Sequence, residues 1–176
     1  TISTVGYGDI TPITFGGRLV TVALILTGLG VLSFFTSIIV SAFNEKMYTL
    51  RENRTYAELS RLDNFIIICG FGRVGQEIAT KFEKDQQAFI VIDINESHIL
   101  LAKEKNYLYV QDDASKNTVL TNAGINTGAS SIICATGNDV INVYITLTSR
   151  FLNPNINIIA RSNRDDNVHK LYQAGA

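Results

Sequence analysis

Between Leu19 and Phe43 the chain runs for about 25 residues without a charged side chain. No other feature of its 176 residues restricts the fold so severely. At a rise of about 1.5 Å per residue, a helix of that length crosses a bilayer core of roughly 30 Å with some tilt. A helix buried in a soluble core can be as apolar, but seldom for so long, so the stretch reads as a membrane span. Charge returns at once beyond it, with Lys46, Arg51, Arg54 and Arg61 interleaved with Glu45, Glu52, Glu58 and Asp63. That run lacks Pro and Gly, and Arg54 and Glu58 stand at helical spacing, which predicts a helical linker continuing from the span. Four basic residues follow the span and only Arg18 precedes it, so the positive-inside rule puts the C-terminal side in the cytoplasm. The formal net charge of -1, with no basic tract, gives no footing for a nucleic-acid partner.

From Phe65 onward the pattern changes to alternating strands and helices. Apolar runs at Phe65–Cys69, Ala88–Ile92, Tyr107–Val110, Ser131–Ala135 and Ile156–Ala160 predict strands. Helical stretches separate and follow them near Val74–Lys84, Glu96–Lys105, Lys116–Ala123, Val140–Phe151 and Asp165–Gln173. Strands apolar on both faces, alternating with helices, imply a parallel sheet covered on both sides. Cys69 and Cys134 each close an apolar run, as buried thiols in a reducing compartment do.

The first residues carry the sharpest chemical signal, Thr4-Val5-Gly6-Tyr7-Gly8-Asp9. Replacing the water shell of a cation with stacked rings of backbone carbonyls requires successive carbonyls to point the same way. That conformation lies outside the usual range of L-residues, and Gly6 and Gly8 tolerate it. Thr4 can add a hydroxyl at the inner end, while Val5 and Tyr7 can brace the loop from outside. The longer run Thr1 to Pro12 resembles the potassium channel pore signature throughout. The resemblance implies K+ coordination by the carbonyls of Thr4, Val5, Gly6 and Tyr7, with Asp9 at the outer mouth. It also implies that the helix that follows lines the pore. Gly28 and Gly30, near the middle of the span, are where such a helix bends at little cost, which makes them a candidate gating hinge. Close packing against a neighbouring helix is the alternative.

A second glycine motif, Gly70-Phe71-Gly72-Arg73-Val74-Gly75, follows the first strand and opens a helix. In that setting Gly70 permits the tight turn, Gly72 lets a diphosphate approach the backbone and Gly75 lets the helix pack closely. The amides at the helix start then face phosphates, and Arg73 can pair with their oxygens. Asp93 ends the second strand about 18 positions past Gly75, where an acid binds ribose hydroxyls and repels a 2′-phosphate, disfavouring NADP. Asp113 and Ala114 after the third strand, Asn138 after the fourth and Arg161 after the fifth lie on the same ligand-facing edge. Helix capping is the plainer role for Asp113 and Asn138.

These motifs together with Ala135 to Asn142 resemble the RCK domain (regulator of potassium conductance, also called KTN and similar to TrkA-N). The expected architecture is a transmembrane pore-lining α-helix plus an α/β Rossmann-like domain with a parallel sheet. Its parts are a pore segment at 1–43, a helical linker at 44–64 and a nucleotide-binding domain at 65–176. The resemblance implies a homotetrameric pore in the lipid bilayer of the cell membrane, multi-pass in the full-length protein, with RCK–RCK contacts forming a cytoplasmic ring. The regulatory ligand it implies is NAD(H) or an adenine nucleotide such as ATP, ADP or AMP. Calcium at ring carboxylates occurs in similar proteins, but no ligand run at EF-hand spacing supports it here. Both ends of the chain look cut, so an outer helix and pore helix are expected before Thr1 and a C-terminal lobe after Ala176.

Two rival readings meet obstacles in the same residues. A nicotinamide enzyme needs a catalytic acid or donor, and none stands out: His98 and His169 fall on predicted helices, away from the glycine turn. A NAD-binding regulatory subunit of a potassium uptake system would share the second motif but has no use for the first, and internal initiation at Met47 is the one route to such a product.

Overall fold

The computed structural model describes residues 11–59 and 62–176, the side chains of 44–54, 57 and 58 excepted. The chain divides into two compact units, Thr1–Leu50 and Arg51–Ala176.

The first unit is dominated by helix α1, which spans Phe15–Leu59 and runs on into the second. Thr14 caps it: its Oγ1 accepts the Gly17 amide at 3.2 Å. Phe15–Phe43 is long and apolar enough to cross a membrane. Large side chains such as Leu26, Phe34 and Phe43 are each about two-thirds exposed. Three hydroxyls of this stretch are satisfied within the helix. The hydroxyls of Thr21, Thr27 and Thr36 each donate to the carbonyl four residues back at 2.8 Å. Gly28 and Gly30 lie within unbroken helix, and a Cβ on Gly30 would meet open space. The sequence-predicted filter residues Thr4 to Asp9 lie outside the described residues.

The second unit is a five-stranded parallel sheet in the order β3-β2-β1-β4-β5. Its strands are β1 Phe65–Cys69, β2 Phe89–Ile92, β3 Leu108–Val110, β4 Ala129–Cys134 and β5 Asn157–Ala160. Helices α2 Arg73–Lys84, α3 Glu96–Glu104, α4 Asn117–Asn122, α5 Asp139–Leu152 and α6 Asp165–Ala174 alternate with them. Alternation along β1 divides the core. Phe65, Ile67 and Cys69 pack with Leu120 of α4 and Ile145 of α5, and Leu59 of α1 joins them. Ile68 points to the other face, where Ala79 of α2 and Ala102 of α3 cover it together with Phe71. Cys69 and Cys134 are free, fully buried and register neighbours on β1 and β4. Burial, and then the neighbouring Cys134, push the Cys69 thiol well up, and burial raises Cys134 to about 11, so both stay protonated and inert.

The strand order matters for the site. Leaving β1, the chain moves outward through β2 and β3, then returns to place β4 on the opposite side of β1. The loops after β1 and β4 therefore diverge and leave a crevice at the carboxyl edge of the sheet.

Candidate functional site

The glycine turn is built by close backbone contacts. Gly70 has φ +98, and a Cβ there would lie 2.8 Å from the Thr136 nitrogen. A Cβ on Gly75 would lie 2.1 Å from the Gly70 carbonyl oxygen, so the first turn of α2 sits directly against the strand end. Gly72 differs, since a Cβ there would meet only His98 Cε1 at 3.9 Å, leaving its open side toward the crevice. Gly72 also precedes α2 without a side-chain cap, so the first amides of that helix keep their capacity for an acceptor. Phe71 contributes its backbone only, because its ring is buried beneath the turn.

Asp93, just past β2, is tied to that turn. Its Oδ2 accepts the Phe71 amide at 2.5 Å and its Oδ1 accepts the Asn95 amide at 2.8 Å. His98 Nδ1 lies 3.0 Å from the same Oδ2. This corrects the sequence-based placement of His98 away from the turn. It belongs to the first turn of α3, which starts at the strand edge and aims its ring back over Gly72. Asp113 Oδ1 accepts the Ser115 amide at 2.9 Å, a local turn, and Ala114 is buried behind it. Asn138 caps α5, its Oδ1 accepting the Val140 amide at 2.9 Å.

The far wall is held by two polar side chains. Asn142, fully buried, accepts the Thr136 amide and hydroxyl at 3.1 and 2.6 Å and donates to the carbonyls of Thr136 and Arg161 at 3.2 and 2.9 Å. Asp139 gathers the loop between β5 and α6, accepting from the Asn163 amide at 2.8 Å and the Asn167 side chain at 2.9 Å. Asn167 first, then Asn163, hold its carboxyl down at about 2, against an ordinary value of 3.8. A depressed carboxyl contributes stability above its unfolded value and loses it as pH falls through the folded one. Urea midpoints of the wild type are therefore expected to drop more steeply between pH 4 and pH 2 than those of Asp139→Asn. Parallel curves would show that the loop does not depend on this charge.

Together these elements line a cleft of about 740 Å³. Of the sequence-predicted residues, Gly70, Gly72, Arg73, Asp93, Asp113, Ala114, Asn138 and Arg161 line it. Phe71, Val74 and Gly75 shape the turn without lining the cleft. Thr136 and Ile141, within the Ala135 to Asn142 stretch that resembles the RCK domain, also line it, as do His98 and Asn163, which were missed. For His98 a signal existed, since the first turn of a helix that starts at a ligand-facing strand edge points back toward that edge. The cleft crosses the ends of all five strands, with acids at one side, open backbone in the middle and Arg161 at the other. That arrangement can take an elongated anionic ligand bearing hydroxyl groups. Among the described residues no group of His, Cys, Asp or Glu is arranged to hold a metal ion.

Residues 66–176 match the TrkA-N domain family, and residues 1–45 match a family described as ion channel. A curated relative, Potassium channel protein 1 of Methanocaldococcus jannaschii, is 38% identical over 100% of this chain and 54% of its own length. The chain thus spans about half the length of the curated relatives it matches. Among solved structures, the GsuK RCK domain is 38% identical with a TM-score of 0.57, covering 65% of this chain and 24% of that one. The GsuK channel bound to NAD shares the fold at 24% identity with a TM-score of 0.60, covering 99% of this chain and 32% of that one.

Proposed function

The chain belongs to the TrkA-N domain family, and from that premise we propose that it is part of a potassium channel subunit whose conduction is set by a nucleotide in the cytoplasmic cleft. One juxtaposition carries the reading: a stretch matching an ion channel family, with the filter-like run Thr4 to Asp9, shares a chain with a TrkA-N domain. Four copies of Thr4, Val5, Gly6 and Tyr7 present their carbonyls to K+, with Gly8 and Asp9 toward the outer mouth. Gly28 or Gly30 is the hinge of the inner helix. The regulatory domains of four subunits meet in a ring below the membrane, and the linker after Phe43 transmits its movements. The chain catalyses no reaction in this reading. A soluble uptake regulator fits less well, because it has no use for a 29-residue apolar stretch such as Phe15–Phe43.

The cleft favours NAD(H), with ADP, ATP or AMP as shorter occupants of its Asp93 half. Gly72 leaves room beside the backbone for phosphates, and Arg73 and Arg161 line the same cleft. The Asp93 carboxylate favours a free ribose over a 2′-phosphate. A ligand shifts the gate only by its differential affinity for the open and closed rings. The test uses the intact protein in lipid nanodiscs for binding and in planar bilayers for current. NAD or an adenine nucleotide is expected to bind and to change a K+-selective current. Asp93→Ala, checked for an intact melting transition, is expected to weaken binding by about 10- to 100-fold through loss of a charged hydrogen-bond acceptor. No K+ selectivity would sink the channel reading. Binding unaffected by Asp93→Ala would remove the nucleotide from this cleft.

A further inference from the structure

The carboxylate that should grip a ribose is already engaged by the protein itself. A carboxylate offers about four acceptor positions. On Asp93 the Phe71 amide and His98 Nδ1 occupy Oδ2, and the Asn95 amide takes one position on Oδ1. One position on Oδ1 is left, whereas two adjacent ribose hydroxyls need two. A carboxylate only accepts, so His98 Nδ1 carries the hydrogen and stands where a ribose hydroxyl would donate. The ring also stands on the open side of Gly72, the glycine whose missing side chain leaves room for phosphates. Of these three donors, the two amides are fixed by the backbone of the turn and of the start of α3. His98 alone can leave, since its side chain is 31% exposed while that of Asp93 is 10% exposed.

Resting on the nucleotide reading above, we propose that His98 is a resident competitor for Asp93: it satisfies the carboxylate and must swing away for both ribose hydroxyls to bind. It acts as a specificity-determining residue. A ligand with the full pair of hydroxyls recovers the hydrogen bond that His98 gives up, whereas one lacking them has nothing to offer the freed carboxylate. The competition raises the affinity threshold for every nucleotide that uses Asp93 and sharpens discrimination in favour of intact ribose.

The test compares ADP with 2′,3′-dideoxy-ADP on the intact protein in nanodiscs, using the wild type, His98→Ala and His98→Gln. Removing a competing hydrogen-bond donor is expected to tighten ADP binding about three- to tenfold in His98→Ala. Dideoxy-ADP, which makes no demand on Asp93, is expected to bind both proteins alike. His98→Gln, which keeps a donor of similar reach, is expected to stay near the wild type and controls for folding. Weaker or unchanged ADP binding in His98→Ala would overturn the competitor role while leaving the cleft a nucleotide site. A gain of equal size for the dideoxy ligand would also overturn it, since the effect would then be room rather than the carboxylate. If neither nucleotide binds any of the three proteins, the nucleotide reading fails and the competitor falls with it.

Discussion

Gly75→Ala is expected to destabilise the TrkA-N unit by about 3 kcal/mol, the upper part of the usual range for forcing atoms into a packed site. Gly137→Ala, the same chemical change at the other side of the cleft, is expected to stay within about 0.5 kcal/mol of the wild type. The difference lies in what the new methyl meets. At Gly75 it would come within 2.1 Å of the Gly70 oxygen and 3.0 Å of the Gly70 carbonyl carbon, both backbone atoms. Gly70 has no direction in which to retreat, because its own Cα side is pressed against the backbone of Ala135 and Thr136 and its φ is +98. Alanine's better helix propensity, worth about 1 kcal/mol, offsets part of the strain. At Gly137 nothing lies within 4 Å and φ is outside the left-handed range. Urea unfolding of the two variants in parallel reads the contrast directly. Coincident curves would mean that the turn yields freely and that its glycines do not set the shape of the cleft.

Much of this was legible because the signals were local. Phe65–Cys69 is apolar at every position and is found as a strand with those bounds, since both of its faces are covered. Strand β4 starts at Ala129, two residues before the predicted start at Ser131, because Ser130 is exposed and its polar side chain interrupts the apolar pattern. The glycine spacing exposed the turn because each glycine answers a contact within a few residues or a fixed strand end. Asp93 followed from its place at the end of β2. What stayed hidden depended on strand order. Asp139 meets Asn163 and Asn167 only because β5 lies beside β4, and Asn142 reaches the Arg161 carbonyl for the same reason. In sequence, Asn138, Asp139 and Asn142 look alike as polar residues around a helix start. In the fold one caps the helix, one anchors the next loop and one is a fully satisfied core residue.

Asn142 gives the second large effect. Asn142→Asp changes neither shape nor volume, so any loss of stability comes from replacing a donor with an acceptor. The oxygen equivalent to Oδ1 would keep its bonds from the Thr136 amide and hydroxyl. The other oxygen would face the carbonyls of Thr136 and Arg161, which now accept at 3.2 and 2.9 Å. The position is fully buried, so water cannot relieve that repulsion. A loss of about 3–5 kcal/mol is expected near neutral pH, the range for a buried charge left uncompensated. Asn142→Leu carries no charge but leaves the Thr136 and Arg161 groups without their partner, at a cost of about 2–3 kcal/mol. The two variants separate by pH. Burial raises the introduced carboxyl above its unfolded value of roughly 4. The variant is therefore least impaired below that value, where the protonated group can donate to one carbonyl, and loses stability as pH rises through the folded value. Its deficit against the wild type should shrink from pH 7 toward pH 4, while that of the leucine variant stays flat. Equal pH profiles for the two, or a wild-type melt for Asn142→Asp at pH 7, would show that Asn142 does not hold the ends of β4 and β5 together. Where the profiles do diverge, the nucleotide affinity proposed for the cleft should fall with stability, because the same four bonds position Thr136 and Arg161 on its wall.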